Sequence, residues 1–256
     1  INEVVEPLLM DFADSVMILT GTPPRVKNTL FEKAWNSKGW QNYHWTMFEN
    51  PYIPDAEAQL EKICEEKGLT KESDFIQREY FGVIAYDTEA QVFKGYQTFD
   101  KIPDDFMPTD VVIGVDFGFS DYNGVVSLAF NKNTMECYAF NENKFNKSTS
   151  SAVIECVKNH YENAKLFMVD RAKTLNKDVD LNNITIVTDS NEKAICYELS
   201  MNSKLPAYPC YKYDKVMAIS QLSDWCRTGK TKVMKDGYLA EEFDMTVYKR
   251  DDHDNI

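Results

Sequence analysis

The sequence predicts an α/β fold built on a mixed sheet with flanking helices. Three observations carry this. Largely apolar runs of strand length occur at Val16–Leu19, Val111–Val115 and Ile184–Val187, and the first, wholly apolar, has the look of a strand in a parallel sheet. The segments Val111–Asp116, Gly124–Phe130 and Met135–Phe140 are separated by short links, with a turn at Asn131-Lys132-Asn133, so they should pair as an antiparallel meander. Beyond the meander, helical and strand patterns alternate.

Taken in order, residues 3–14 read as a helix with Val4, Val5, Leu8, Leu9 and Phe12 on one face. Val16-Met17-Ile18-Leu19 reads as a buried strand running into the turn Thr20-Gly21-Thr22-Pro23-Pro24. A helix is predicted over 55–67, begun by Pro54 and Asp55 and carrying Ala56, Leu60 and Ile63 as its apolar stripe. Another is predicted over Lys71 to Tyr80, capped by Thr70 or Ser73. From Gly82 to Asp110 the pattern weakens under Gly95, Pro103 and Pro108. The expected division is therefore a first unit over 1–84, a connector over 85–109 and a second unit over 110–256. After the meander come a helix at Ser151–Glu162, strands at Lys165–Asp170 and Asn183–Asp189, and helices at Asn191–Met201 and Lys215–Arg227. A meander followed by alternating helices and strands is the order of an RNase H-like fold.

The chain has 256 residues, 43% hydrophobic and 13% aromatic, which suits one large or two modest cores and argues against disorder. No apolar stretch is long enough to span a bilayer, so no membrane partner is expected. Ile1-Asn2-Glu3 lacks the basic start of a signal peptide and reads as the middle of a helix, as if the chain began inside a larger protein. Cys64, Cys137, Cys156, Cys196, Cys210 and Cys226 form no C-x-x-C pair and are expected as scattered buried thiols in a reducing cytosol.

The formal charge of -13 is unevenly spread. Between Lys204 and Lys235 there are seven basic residues (Lys204, Lys212, Lys215, Arg227, Lys230, Lys232 and Lys235) against two acids, Asp214 and Asp224. Such an excess could follow a phosphate backbone, and it could equally be a solvated face. Lys212, Lys215, Arg227 and Lys230 are the DNA-binding candidates.

The chemistry is expected at carboxylates. Asp116 ends an apolar strand and is followed by Phe117-Gly118, whose glycine allows close backbone approach. Asp189 ends the run Ile184–Thr188. If the two strands are neighbours, both carboxylates enter one cleft. Arg250-Asp251-Asp252-His253-Asp254 offers a third acidic cluster. Three carboxylates from separate segments meet the needs of a two-metal nuclease, and oxygen donors suit Mg²⁺ or Mn²⁺. The bland reading of Asp189 is a cap before Ser190-Asn191. A rival for Ile113-Gly114-Val115-Asp116-Phe117-Gly118 is the first phosphate loop of actin-like ATPases, which would require a second glycine-rich turn. Gly229 and Gly237 each stand alone, so that turn is missing.

Several motifs in sequence resemble the terminase large subunit of tailed bacteriophages. Ile18-Leu19-Thr20-Gly21-Thr22-Pro23 resembles the coupling motif of the packaging ATPase, with Thr20, Gly21 and Thr22 at its centre. Glu49-Asn50-Pro51-Tyr52-Ile53-Pro54 and Gln77-Arg78-Glu79-Tyr80-Phe81-Gly82 resemble elements that close the ATPase region. Gly114–Gly118 with Asp121 matches the first nuclease strand, and Asp189 stands where the second metal ligand is expected. Lys212 and Lys215 follow Pro206 and Pro209, where the family often carries lysine, and Asp251-Asp252-His253 resembles the start of its closing acidic motif.

The resemblance implies the C-terminal end of a P-loop-type ATPase domain followed by an RNase H-like nuclease. It also implies a divalent-metal endonuclease that cuts concatemeric double-stranded DNA during genome packaging. Asp116, Asp189 and Asp254 would be catalytic, with Asp252 and His253 as further metal ligands. In the full-length protein the implied partners are ATP, a small terminase subunit and the portal, in the host cytoplasm. Two departures matter. No Gly-x-x-x-x-Gly-Lys-Ser/Thr loop and no apolar strand ending in Asp-Glu is present, so no ATP hydrolysis is expected from this chain alone. The family's last metal-binding Asp lies a few residues past the Asp-Asp-His run, so the third ligand is Asp254, a neighbour such as Asp251 or Asp252, or a residue beyond Ile256. The competing readings are another RNase H-like nuclease, of resolvase or transposase type, and a non-catalytic fragment that grips DNA.

Overall fold

The computed structural model describes residues 14–118, 122–146, 148–190, 193–210 and 214–248. The chain divides into two compact units, residues 1–89 and 90–256. The helix expected over 3–14 lies mainly outside the described residues.

The first unit is helical among its described residues. Helix α1 (Leu30–Asn36) is capped by Thr29, whose hydroxyl accepts the Glu32 N–H. Helix α2 (Ala56–Lys67) starts at the Asp55 cap, ends at the predicted residue 67 and is closed by Gly68, whose φ is positive. Helix α3 (Asp74–Glu79) is shorter than the predicted 71–80. Its start is set by Ser73, whose hydroxyl accepts the Thr70 N–H and holds residues 70–73 in a turn. The predicted strand Val16–Leu19 does not form. Val16 and Ile18 are 76% and 77% exposed, and no described strand pairs with the segment. A strand needs a ladder partner for its backbone groups, and hydrophobicity alone supplies none.

The second unit holds a seven-stranded sheet among its described residues: β1 (Gln97–Phe99), β2 (Asp110–Asp116), β3 (Tyr122–Asn131), β4 (Glu136–Asn146), β5 (Ile184–Thr188), β6 (Ala207–Pro209) and β7 (Thr231–Met234). The spatial order is β1-β7-β4-β3-β2-β5-β6. The meander β2-β3-β4 is antiparallel as predicted. The pairs β2–β5, β5–β6, β4–β7 and β1–β7 are parallel. A meander whose first strand is extended by parallel strands across helical connections is the RNase H-like arrangement, so the predicted fold class is the observed one. Segment 85–109, expected as a connector, supplies β1 and places Val92, Phe93, Ile102 and Phe106 in this unit's core.

Each sheet face carries its own core. Val111, Ile113, Val115, Val125, Ile184 and Ile186 pack on helix α4 (Ser150–Leu175) through Val153, Val157, Ala164 and Met168. This corrects the predicted strand at Lys165–Asp170, which is helical. Ala164, Met168, Arg171 and Ala172 continue the buried stripe begun by Val153, Val157 and His160 at the helical period, and no turn residue interrupts it before Asn176. On the other face Val126, Leu128, Ala139 and Val233 meet α6 (Lys215–Arg227) and α7 (Tyr238–Met245) through Ile219, Cys226, Ala240 and Phe243, with Val92 and Phe93. The predicted helix at Asn191–Met201 appears as α5 (Lys193–Tyr197) running into a π turn at Glu198–Asn202. No helix among the described residues is long and apolar enough to cross a membrane; Cys137, Cys196 and Cys226 are buried as expected, whereas Cys64 and Cys156 are half-buried and Cys210 is exposed.

Candidate metal centre

The parallel register of β2 and β5 ends on the pair Val115–Thr188. The next residues on the two strands are Asp116 and Asp189, so the chain brings the two predicted carboxylates to adjacent positions at the carboxyl ends of neighbouring strands. Strand alternation places them on one face. Val111, Ile113 and Val115 are buried against α4, and Asp116 shares the opposite face with Val112 and Gly114. On β5, Ile184, Ile186 and Thr188 are buried, and Asp189 belongs to the opposite row with Thr185 and Val187. Buried β-branched neighbours hold both backbones, while Asp116 remains exposed and Asp189 half-buried.

Across the sheet, Asp116 is in register with Gly124. A Cβ added there would meet nothing within 4 Å, so the space beside Asp116 is open among the described residues. Gly124 is in turn paired with Lys144. That lysine is engaged by Glu242 of α7 and lies 4.8 Å from the Tyr122 ring centroid.

Asn123 is a positioning residue that the sequence did not single out. It is completely buried, its Oδ1 accepts the Gly118 N–H at 3.2 Å, and its Nδ2 donates to the Phe145 carbonyl at 3.4 Å. The turn that follows Asp116 is thereby tied to β4. An asparagine inside an apolar strand signals such a role only once its neighbours are known.

The donor set fits a hard divalent cation in kind: two carboxylates, side by side, on an open face. Among the described residues no group of three or more His, Cys, Asp or Glu forms a metal site. The predicted third ligand, with Asp251, Asp252, His253 and Asp254, lies outside the described residues, as does Asp121. α7 is the element that leads toward that run, and it packs on the face that carries Asp116 and Asp189. Its exit is held by a bridge between Gln91 and Val247 and by the Tyr248 N–H on the Ala90 carbonyl at 2.7 Å.

The described members of the basic segment differ in their surroundings. Lys212 lies outside the described residues. Lys215 opens α6 and is exposed. Arg227 is exposed and donates to Asp224 at 2.6 Å, and Lys230 is half-buried in the turn before β7. Lys232 belongs to the sheet: it bonds Glu136 at 3.0 Å and sits 4.7 Å from the Tyr138 ring centroid, and its hydrogen bond holds the Glu136 carboxyl below its usual range.

In the first unit, Thr20, Gly21 and Thr22 form an exposed loop. Two of the sequence motifs meet here, because the Thr22 hydroxyl donates to Glu79 at 3.3 Å. Arg78 is buried, with its guanidinium on the Ala85 carbonyl at 3.2 Å. Gly82 has a φ of 63°, and a Cβ there would stand 2.8 Å from the His44 ring. Only glycine fits this position.

No family model matches the chain, and no curated protein matches it by sequence. Similar solved structures do exist. The large terminase of the thermophilic bacteriophage D6E aligns over 83% of this chain and 49% of its own, with 12% identity and a TM-score of 0.45. The nuclease domain of the bacteriophage SPP1 large terminase, solved with bound Mn, aligns over 64% of this chain and 85% of its own, with 20% identity and a TM-score of 0.47. The large terminase nuclease of the thermophilic phage G20c aligns over 65% and 86%, with 21% identity and a TM-score of 0.43. The chain is thus similar to large terminases and their nuclease domains, and it spans about half the length of the D6E protein.

Proposed function

We propose that this chain is the nuclease-bearing part of a viral DNA-packaging terminase large subunit. In this reading residues 110–256 form a divalent-metal-dependent endonuclease that cuts concatemeric double-stranded DNA, and residues 1–84 close a packaging ATPase domain. The observation that carries the proposal is the register of β2 and β5, which sets Asp116 and Asp189 side by side on one open face. The ordered set of motifs from Thr20-Gly21-Thr22 to Asp251-Asp252-His253 supports the terminase assignment over a resolvase or transposase. The host cytoplasm, ATP, a small terminase subunit and the portal belong to the same proposal for the full-length protein.

Asp116 and Asp189 would hold Mg²⁺ or Mn²⁺, with the third ligand supplied by Asp254, a neighbour, or a residue past the end of this chain. When bound, such ions supply a water activated for attack and neutralise charge at the phosphodiester. The residues of the chain do the rest. The apolar strands fix the spacing of the two carboxylates. Asn123 holds the turn after Asp116, and Gly124 keeps the approach to it open. The decisive test is plasmid nicking in Mn²⁺ by the wild-type chain and its Asp116 and Asp189 variants.

Two further outcomes are expected. Charge reversal at Lys212 and Lys215 should weaken DNA binding and lower the slope of log affinity against log salt by about 1 for each phosphate no longer neutralised. Fluorescence anisotropy at several salt concentrations measures this, and an unchanged slope would mean that these lysines only solvate the surface. Because the chain has no phosphate loop, calorimetry should find no saturable micromolar ATP binding.

A further inference from the structure

At the carboxyl ends of β5 and β6 lies a cleft of about 500 Å³ that the metal-centre reading does not use. One wall begins at Ser190, the residue after Asp189. A second wall is helical: Lys193, Tyr197 and Ser200 follow one another at intervals of four and three residues on one face. Pro209 and Cys210 close the far side, and the Cys210 N–H is fixed to the Thr188 carbonyl at 2.7 Å.

The stripe is exposed yet rigidly mounted. Tyr197 is 60% exposed, and Lys193 is exposed too, while Ile195, Cys196 and Leu199 are buried in the core beneath. The helix passes into a π turn at Glu198–Asn202, a rare geometry that is frequent at functional sites. In open α/β sheets, ligands collect beyond the carboxyl ends of parallel strands, which is where this cleft sits.

An aromatic face, two hydroxyls and one ammonium group beside a pair of carboxylates suit a nucleotide. A base turned out of the duplex stack finds the ring and the apolar wall, and its phosphate finds Lys193 and the serines. An anion beside two carboxylates needs such a cation, above all in a chain of net charge -13.

We propose that this cleft seats one nucleotide of the DNA strand being cut, next to the phosphodiester presented to Asp116 and Asp189, with Tyr197 stacked on its base and Lys193 on its phosphate. The proposal rests on the nuclease reading, and the experiment separates the two.

The 256-residue chain is given a duplex oligonucleotide carrying 2-aminopurine at successive positions, with Ca²⁺ for binding and Mn²⁺ for cleavage. Tyr197→Ala should weaken binding about tenfold and remove the fluorescence change that binding produces at one position, and Tyr197→Phe should restore both. Lys193→Gln should lower the salt slope by about 1. If wild type cuts and Asp116→Asn does not, while the Tyr197 and Lys193 variants bind and cut as wild type, the cleft is overturned and the nuclease stands. If wild type binds but never cuts, the fluorescence change and salt slope still decide for or against the cleft. A wild-type chain that neither binds nor cuts overturns both.

Discussion

Replacing Asp116 or Asp189 with Asn should abolish plasmid nicking in Mn²⁺, with a loss of about a thousandfold or more, roughly 4 kcal/mol of transition-state stabilisation. Asparagine keeps the shape and removes one charge. The two aspartates directly follow the last register pair, Val115–Thr188, on neighbouring parallel strands, so their charges should lie close and repel when no cation is present. Each Asn variant should therefore fold at least as stably as wild type without metal. Wild type should gain melting temperature on addition of Mn²⁺, and the variants should gain less. Asp254→Asn should impair cutting only if the third ligand is that residue. An Asp116→Asn protein that nicks plasmid at the wild-type rate would remove the proposed site altogether.

Stability should fall by about 3 kcal/mol between pH 7 and pH 4 through His160 alone. This ring is 1% exposed on α4. Its Nδ1 lies 2.7 Å from the Ser127 hydroxyl on β3, and its Nε2 lies 2.9 Å from Asn143 Oδ1 on β4. A neutral imidazole satisfies both partners, accepting from the serine and donating to the asparagine. Burial lowers its pKa from 6.5 to about 4. The sign follows from linkage. Between these values the unfolded chain binds a proton that the folded chain refuses, so the stability is fully present above 6.5 and is lost as pH falls toward 4. Burial pushes the Glu142 carboxyl up, which acts in the opposite sense, so the comparison must isolate His160. Urea midpoints of wild type and His160→Gln at pH 7 and about 4.5 do so: the drop should be smaller in the variant. A His160 resonance titrating near 6.5 in the folded protein would refute the mechanism.

Much of the second unit was legible because its signals are local. Helix α6 carries its start in Asp214, whose carboxylate accepts the Val216 and Met217 N–H groups, and its predicted range is the observed one. The meander was legible because short links leave consecutive strands no choice but to pair. Asp116 and Asp189 stood out for the same local reason: each follows an apolar run that ends abruptly in a charge.

What pairs with what was decided elsewhere. Strands β1, β6 and β7 have three, three and four residues, too few for any periodicity, and they exist because longer neighbours offer them a ladder. Val16–Leu19 shows the converse: an apolar run with no described partner remains coil. Lys165–Asp170 was misread because a short run with Leu166, Phe167 and Met168 suits a strand as well as a helix, and only the buried stripe continued from Val153 to Ala172 settles the choice. The sequence by itself determined the residue types: two aspartates that end apolar runs, a glycine two residues after the first of them and a basic excess between Lys204 and Lys235. The tertiary structure decided their company. It set Asp116 beside Asp189 and His160 between Ser127 and Asn143. Register and packing arise from interactions between residues distant in the chain, and no local pattern encodes them.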